Sequence, residues 1–234
     1  MRKNIIKIEK EIKMQEKIKY VLFDLDGTLL STLDTITHHL NGALKKHGLD
    51  CIEVDDTRRF IGNGARKLVG RAVNKCGSND ESLILDVLAD YNEAYDRDPL
   101  PHTYPYEGVC DLINNLCERG IHLGVVTNKP DPTAKKLIEH FFPGKFEVVS
   151  GGRAGIALKP DPKEALLVLS AMGGRPSECA FVGDTSVDVL TGRNMQAALS
   201  VGVSWGFRDA DELVSAGADK VIDNASELLG LIGG

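Results

Sequence analysis

The sequence predicts an α/β protein, a Rossmann-like doubly wound parallel sheet interrupted by an inserted all-α domain. Three observations carry that expectation. An apolar run ending in Val21-Leu22-Phe23 has the composition of a buried strand. Residues 33–97 then show helical periodicity alone. From residue 107 onward strand-like and helix-like stretches alternate, the pattern that builds a parallel sheet with helices on both faces.

Taken in order, Val21 to Asp26 reads as the first strand, which if extended points Asp24 and Asp26 to one side and Leu25 to the other. Ile36, Leu40, Leu44 and His47 mark a helix stopped by Gly48. Leu68, Val69, Ala72 and Val73 mark a second, and Leu83, Ile84, Val87, Leu88 and Tyr91 a third. The Pro-rich run from Asp98 to Pro105 reads as the linker leaving this block. Beyond it come a helix from Val109 to Cys117 and a strand from Ile121 to Val126. A helix over 132–141, a strand from Phe146 to Val149 and a helix over 162–171 follow. Strands at Cys179–Val182, Leu199–Val203 and Lys220–Ile222 complete the sheet. The expected division is a basic extension over 1–19, a catalytic core over 20–32 and 104–234, and a helical domain over 33–103.

Composition narrows the class. With 42% hydrophobic and 26% charged residues the chain has ordinary globular proportions. A net charge of -6 and the lack of a basic patch with interleaved aromatics argue against a nucleic-acid partner. No apolar run approaches the roughly 18 residues that span a bilayer, so no membrane partner is expected. The five cysteines are odd in number and include no C-x-x-C pair, which favours a reduced, cytoplasmic setting. Cys110 and Cys117, seven apart, are expected on one buried helix face. The first 19 residues carry seven Lys/Arg against three Glu, with Ile5, Ile8 and Ile12 at helical spacing. They lack the apolar region of a signal peptide and read either as a plain extension or as a basic amphipathic helix.

Chemistry concentrates at the predicted strand ends. Asp24 and Asp26 crowd two carboxylates onto a Gly27-Thr28 turn, an arrangement that attracts a divalent cation or else caps the loop. Thr127 and Asn128 place a hydroxyl and an amide after Val125-Val126, as donors for anionic oxygens or as a turn start. Lys159 precedes Pro160-Asp161-Pro162 and offers either a compact cation or a solvated side chain. Gly183-Asp184-Thr185-Ser186-Val187-Asp188 follows another apolar run and sets two carboxylates four apart. Hard oxygen ligands of this kind suit Mg²⁺, although Thr185 and Asp188 also form a capping-box pattern.

These four motifs, in this order, resemble those of the haloacid dehalogenase (HAD) superfamily: DxDGT at Asp24–Thr28, Thr127, the Lys159-Pro160 pair, and GDxxxD at Gly183–Asp188. The resemblance covers residues 20 to about 232 and implies a core with a C1-type helical cap. It implies that Asp24 attacks phosphorus, that Asp26 carries the proton, and that Thr127, Asn128 and Lys159 hold the phosphoryl oxygens. It further implies Mg²⁺ held by Asp24, Asp184, the Asp26 carbonyl and Asp188, the last through water or as support. The carboxylate at Asp26 is absent from members that cleave carbon–halogen bonds. Leu30-Ser31-Thr32 departs from the frequent DGTLxDS continuation, and Met195-Gln196 replaces a common Ala-Gly.

Within the helical block, Phe60 to Val69 resembles phosphoglycolate phosphatases, so Asn63, Arg66 and Lys67 are candidates to meet an anionic leaving group, or else solvated residues of a helix start. Trp205 resembles a recurring loop residue of the same enzymes and is equally explained by packing. The reading is therefore a Mg²⁺-dependent phosphatase of a small phosphorylated metabolite, acting as a monomer or homodimer. The alternatives sharing the motifs are a β-phosphoglucomutase-like phosphotransferase, a pyrophosphatase of this fold, and a phosphonatase using Lys67. A non-catalytic binding module is the rival of a different class.

Overall fold

The computed structural model describes residues 18–232, so the basic extension lies almost wholly outside the described residues. Six parallel strands form the sheet: β1 (Tyr20–Phe23), β4 (His122–Pro130), β5 (Val148–Gly152), β6 (Cys179–Gly183), β7 (Leu199–Val203) and β8 (Lys220–Ile222), in the order β5-β4-β1-β6-β7-β8. Strand β1 is central because Val21, Leu22 and Phe23 are apolar toward both faces, and each face is covered by helices. One face packs Val21, Phe23 and Val125 with α5 (Val109–Glu118) and α6 (Asp131–Phe141). The other packs Leu22, Val126 and Phe181 with α7 (Lys163–Ala171). The chain reverses direction across β1, so the carboxyl ends of β1, β4 and β6 open together at the switch point where such sheets bind ligands.

Strand β1 stops at Phe23, earlier than the reading to Asp26. Leu25 O accepts from the Thr28, Leu29 and Leu30 amides, which turns the chain immediately after Asp24. Gly27 allows that turn with φ +86°. Two short strands, β2 (Leu30–Ser31) and β3 (Tyr104–Pro105), then pair antiparallel. They staple the exit to the helical block against the return from it, so the run read as a free linker ends in a strand. Three residues per strand or fewer leave too little alternation to read from sequence.

Four helices form the block: α1 (Leu33–Lys46), α2 (Val54–Phe60), α3 (Ala65–Lys75) and α4 (Glu81–Arg97). Their apolar faces meet in a separate cluster around Leu40, Leu44, Val69, Val73, Val87 and Tyr91. Helix α2 was not anticipated, because Asp55, Asp56, Arg58 and Arg59 swamp its short apolar face. Two short helices of the core, α9 (Ala210–Ser215) and α10 (Ser226–Leu231), escaped for the same reason of length, while α8 (Ser186–Asn194) starts at the predicted capping box. On α5 the buried positions are Val109, Leu112, Ile113 and Leu116, so Cys110 is exposed and Cys117 only half-buried, against expectation. A seven-residue spacing keeps two residues on one side but does not say which side is inward.

The block is held down on the core. Phe207, from the loop after β7, inserts into the block's own apolar cluster. Arg208 donates to Arg58 O (2.5 Å) and Ile61 O (3.0 Å), and Asn128 donates to Gly62 O (3.1 Å). Lys136 donates to Asp96 O and Arg97 O, and Thr133 bonds Asp96. Among the described residues no helix is long and apolar enough to cross a membrane. Phe207→Ala should leave a cavity in the helical cluster and cost about 3 kcal/mol, read as a fall in the urea midpoint.

Candidate active site

At the carboxyl end of β1 the Asp24 amide donates to Val182 O (2.9 Å), which fixes the carboxylate above the sheet. Lys159 Nζ lies 2.7 Å from Asp24 Oδ1 and 2.6 Å from Asp188 Oδ1, with its side chain 3% exposed. The loop bearing Lys159 is itself positioned by Asn128, whose Oδ1 accepts from the Lys159 amide (2.9 Å) while Nδ2 donates to Lys159 O (3.3 Å) and to Gly62 O. The Lys159–Pro160 peptide is cis.

Asp184 is completely buried and oriented by two donors, Thr28 Oγ1 at 3.0 Å and the Phe207 amide at 2.8 Å. Backbone from two loops closes on it so tightly that a Cβ on Gly27 would come 2.2 Å from Asp184 Oδ2, and one on Gly206 2.3 Å from Asp184 Cβ. Asp188 accepts from the Thr185 amide (3.0 Å) and Thr185 Oγ1 (2.6 Å) through Oδ2. The capping box and the site are therefore the same side chain: Oδ2 caps α8 while Oδ1 faces Lys159.

Asp24, Asp184 and Asp188 each present an oxygen within 4.8 Å of the other two. One ammonium does not balance three buried carboxylates. Burial pushes Asp24 up to about 6 against the pull of Lys159, with Asp188 adding to the rise. Burial likewise drives Asp184 well above the usual carboxylate range, with Asp188 and Asp24 reinforcing it. Burial alone would lower Lys159, but Asp188 and Asp24 outweigh it and hold the ammonium at about 12. Asp24 Oδ1 meets Lys159 out of line and has no hydrogen-bond partner among the described residues. Hard oxygen donors with an excess of negative charge and a free lone pair fit a divalent cation such as Mg²⁺.

Above this floor a cavity of about 50 Å³ lies between core and block. Asp24, Asp26, Thr127 and Lys129 line it from the core, and Ile36, Ile61, Leu68, Tyr91 and Tyr95 from the block. Thr127 is buried at the end of the apolar part of β4, its Oγ1 accepting from the Lys129 amide (3.3 Å). Asn128 lines the mouth, but its amide hydrogens are committed to Gly62 O and Lys159 O, so the side chain is a strap rather than a free donor.

The three block residues singled out from sequence turn elsewhere. Arg66 pairs with Glu81, Asn63 accepts from Arg71 (2.8 Å), and Lys67 is exposed. None of them lines the cavity. On α3 it is Ala65 and Leu68, three apart, that face inward, and Arg66 and Lys67 fall on the outer side of the same turn.

One cavity residue was not anticipated. Lys129 Nζ, its side chain 2% exposed, donates to Asp26 Oδ1 (3.0 Å), Asp26 Oδ2 (3.2 Å) and the Tyr95 hydroxyl (2.6 Å). It also lies 4.1 Å from the centre of the Tyr95 ring. Burial lowers its pKa, opposed by Asp26. The signal was present: Thr127 and Lys129 are two apart on one strand and so share a side. Trp205 contributes packing and a hydrogen bond from Nε1 to Thr28 O (3.1 Å).

The family model of the haloacid dehalogenase-like hydrolases matches residues 21–201. A phosphoglycolate phosphatase of Vibrio parahaemolyticus is 30% identical over 93% of this chain and 97% of its own. Phosphoglycolate phosphatase 1 of Pseudomonas aeruginosa is 34% identical over 90% of this chain and 78% of its own. Among solved structures, one from Lactobacillus delbrueckii subsp. bulgaricus, provisionally described as a phosphoglycolate phosphatase, superimposes with a TM-score of 0.87 at 30% identity, covering 93% of this chain and all of the other. With the family match spanning β1 to β7 and taking in the clustered carboxylates and Lys159, the chain belongs to the haloacid dehalogenase-like hydrolases.

Proposed function

We propose that this protein is a Mg²⁺-dependent phosphatase that hydrolyses a small phosphate monoester with an acidic leaving group, phosphoglycolate being the leading candidate. The observation that carries the reading is the contact of Lys159 with both Asp24 and Asp188 beside Asp184, a cation-poor carboxylate cluster from which Asp24 reaches the cavity between core and block. Curated relatives named phosphoglycolate phosphatase, matched over nearly the whole chain, support the substrate class.

In this mechanism a carboxylate oxygen of Asp24 attacks phosphorus and the bond to the leaving oxygen breaks, giving an aspartyl phosphate. Asp26 protonates the departing oxygen; its carboxylate lines the same cavity as Asp24. Water then attacks phosphorus, Asp26 takes the water's proton, the bond to Asp24 breaks and inorganic phosphate leaves. Lys159 keeps Asp24 oriented and spreads positive charge over the phosphoryl oxygens, with the Thr127 hydroxyl as a second donor. Mg²⁺ held by Asp24 and Asp184, with the Asp26 carbonyl and with Asp188 in support, supplies electrostatic stabilisation of the charge on the transferring group. The helical block acts as the cap: Phe207, Arg208 and Asn128 hold it down, and bulk water is excluded while it is closed.

The cavity walls bear on the rivals. Ile36, Ile61, Leu68 and Phe207 provide no partners for a ring of sugar hydroxyls, which disfavours a hexose phosphate mutase. Lys67 is exposed away from the cavity, which disfavours a Schiff-base phosphonatase.

Asp24→Asn should lower kcat by at least about 10³-fold while leaving the circular-dichroism spectrum and melting temperature close to wild type, and retained turnover would exclude the phospho-enzyme route. Chelation with EDTA should abolish phosphate release from phosphoglycolate. Restoring Mg²⁺ should recover the activity and raise the melting temperature, since a cation that binds only the folded cluster stabilises it.

A further inference from the structure

Lys129 is the only cationic side chain among the cavity-lining residues. Lys159 is committed to Asp24 and Asp188 on the floor, and Arg66 and Lys67 of the block face away. An ammonium has three hydrogens to donate. One contact goes to the Tyr95 hydroxyl on α4 and the others to the Asp26 carboxylate alone, whose two oxygens share the ammonium at 3.0 and 3.2 Å. Burying a lysine so completely is costly unless its charge is matched, and here the match is a carboxylate. Asp24 and Asp96 act on it only through weaker fields than Asp26, and Tyr91 and Tyr95 stay un-ionised because burial raises both hydroxyls.

The location sets what the ammonium can reach. Nζ contacts the Asp26 carboxylate, and Asp26 lines the same cavity as Asp24, so Asp26 links Lys129 to the side of the cavity where the reacting carboxylate lies. In the mechanism above, the leaving oxygen lies within hydrogen-bond reach of Asp26, roughly 2.6–3.2 Å. A group one or two bonds beyond that oxygen therefore arrives beside Nζ. If that group is a carboxylate, it takes up the ammonium's charge while Asp26 holds the proton it delivers to the leaving oxygen, and the pocket gains an anion without stranding a buried charge.

We propose that Lys129 is the specificity-determining residue that receives the carboxylate of the leaving group, presented from the core side of the cavity and held in place by Tyr95 of the helical block. This rests on the phosphatase reading and adds to it the group that selects the substrate. Selection then depends on closure, because Tyr95 reaches Lys129 only when the block lies on the core as it does here.

The test compares phosphoglycolate with hydroxyethyl phosphate, a neutral leaving group of the same chain length, on wild type, Lys129→Met, Lys129→Gln, Lys129→Arg and Tyr95→Phe. Wild type should favour the acid. Lys129→Met and Lys129→Gln should lose at least about 30-fold more kcat/KM on phosphoglycolate than on hydroxyethyl phosphate, mainly through KM. Lys129→Arg should keep part of the preference, and Tyr95→Phe should weaken it in the same direction by a smaller factor. Equal losses on both substrates, carried by kcat, would mean that Lys129 only holds Asp26, and would overturn the inference while leaving the phosphatase standing. A wild type that hydrolyses both esters equally would instead overturn the acidic-substrate reading itself. Should Lys129→Met fail to fold, as a melting curve would reveal, the Gln and Arg variants alone decide the outcome.

Discussion

The rest of the site depends on the charge imbalance at the carboxyl ends of β1 and β6. Asp24, Asp184 and Asp188 crowd three carboxylates around one ammonium, all withdrawn from water. Burial pushes the carboxyls of Asp24 and Asp184 upward, and like charges at this spacing, in a medium of low polarizability, add to the rise. The surrounding structure answers with fixed donors. Thr28 and the Phe207 amide hold Asp184, and the Thr185 backbone and hydroxyl hold Asp188. What these donors leave unbalanced is an excess of negative charge that fits a divalent cation.

The same residues couple the chemistry to the helical block. The loop that orients Asp184 through the Phe207 amide sends the Phe207 ring into the block's apolar cluster. Asn128 joins the Lys159 loop to Gly62 with a single amide group. Lys129 joins Asp26 to Tyr95. Asp184, Lys159 and Asp26 each thus have a structural link to the block. The contacts that hold the block on the core are thus also contacts that orient the site, and the paired strands β2 and β3 tie together the two connections between block and core.

Much of this was legible in the chain. The strand-and-helix alternation, the insertion after β1 and the polar residues that follow apolar runs are read from local patterns, because apolar runs and turn residues report burial directly. Asp188 illustrates where such patterns are ambiguous: a capping box and a metal-site carboxylate have the same spacing, and the side chain serves as the cap with one oxygen and faces Lys159 with the other. The short elements α2, α9, α10 and the β2–β3 pair were not legible, since a few residues carry too little periodicity to stand above their charged neighbours.

The sequence by itself determined the order of the elements and the motifs whose carboxylates and lysine share the site floor, because Asp24 and Asp184 each lie one residue beyond a buried strand whose register the sheet enforces, and Asn128, just past another apolar run, anchors the Lys159 loop. Tertiary structure alone decided which cation lines the cavity. Arg66 and Lys67 looked suited to that task in the one-dimensional pattern, yet the docking of α3 turns them to solvent, while Lys129 is brought beneath Tyr95, 34 positions away in the chain. The reason is physical: a strand end fixes a side chain's direction through the sheet, whereas the direction of a side chain on a packed helix depends on which face its neighbours bury.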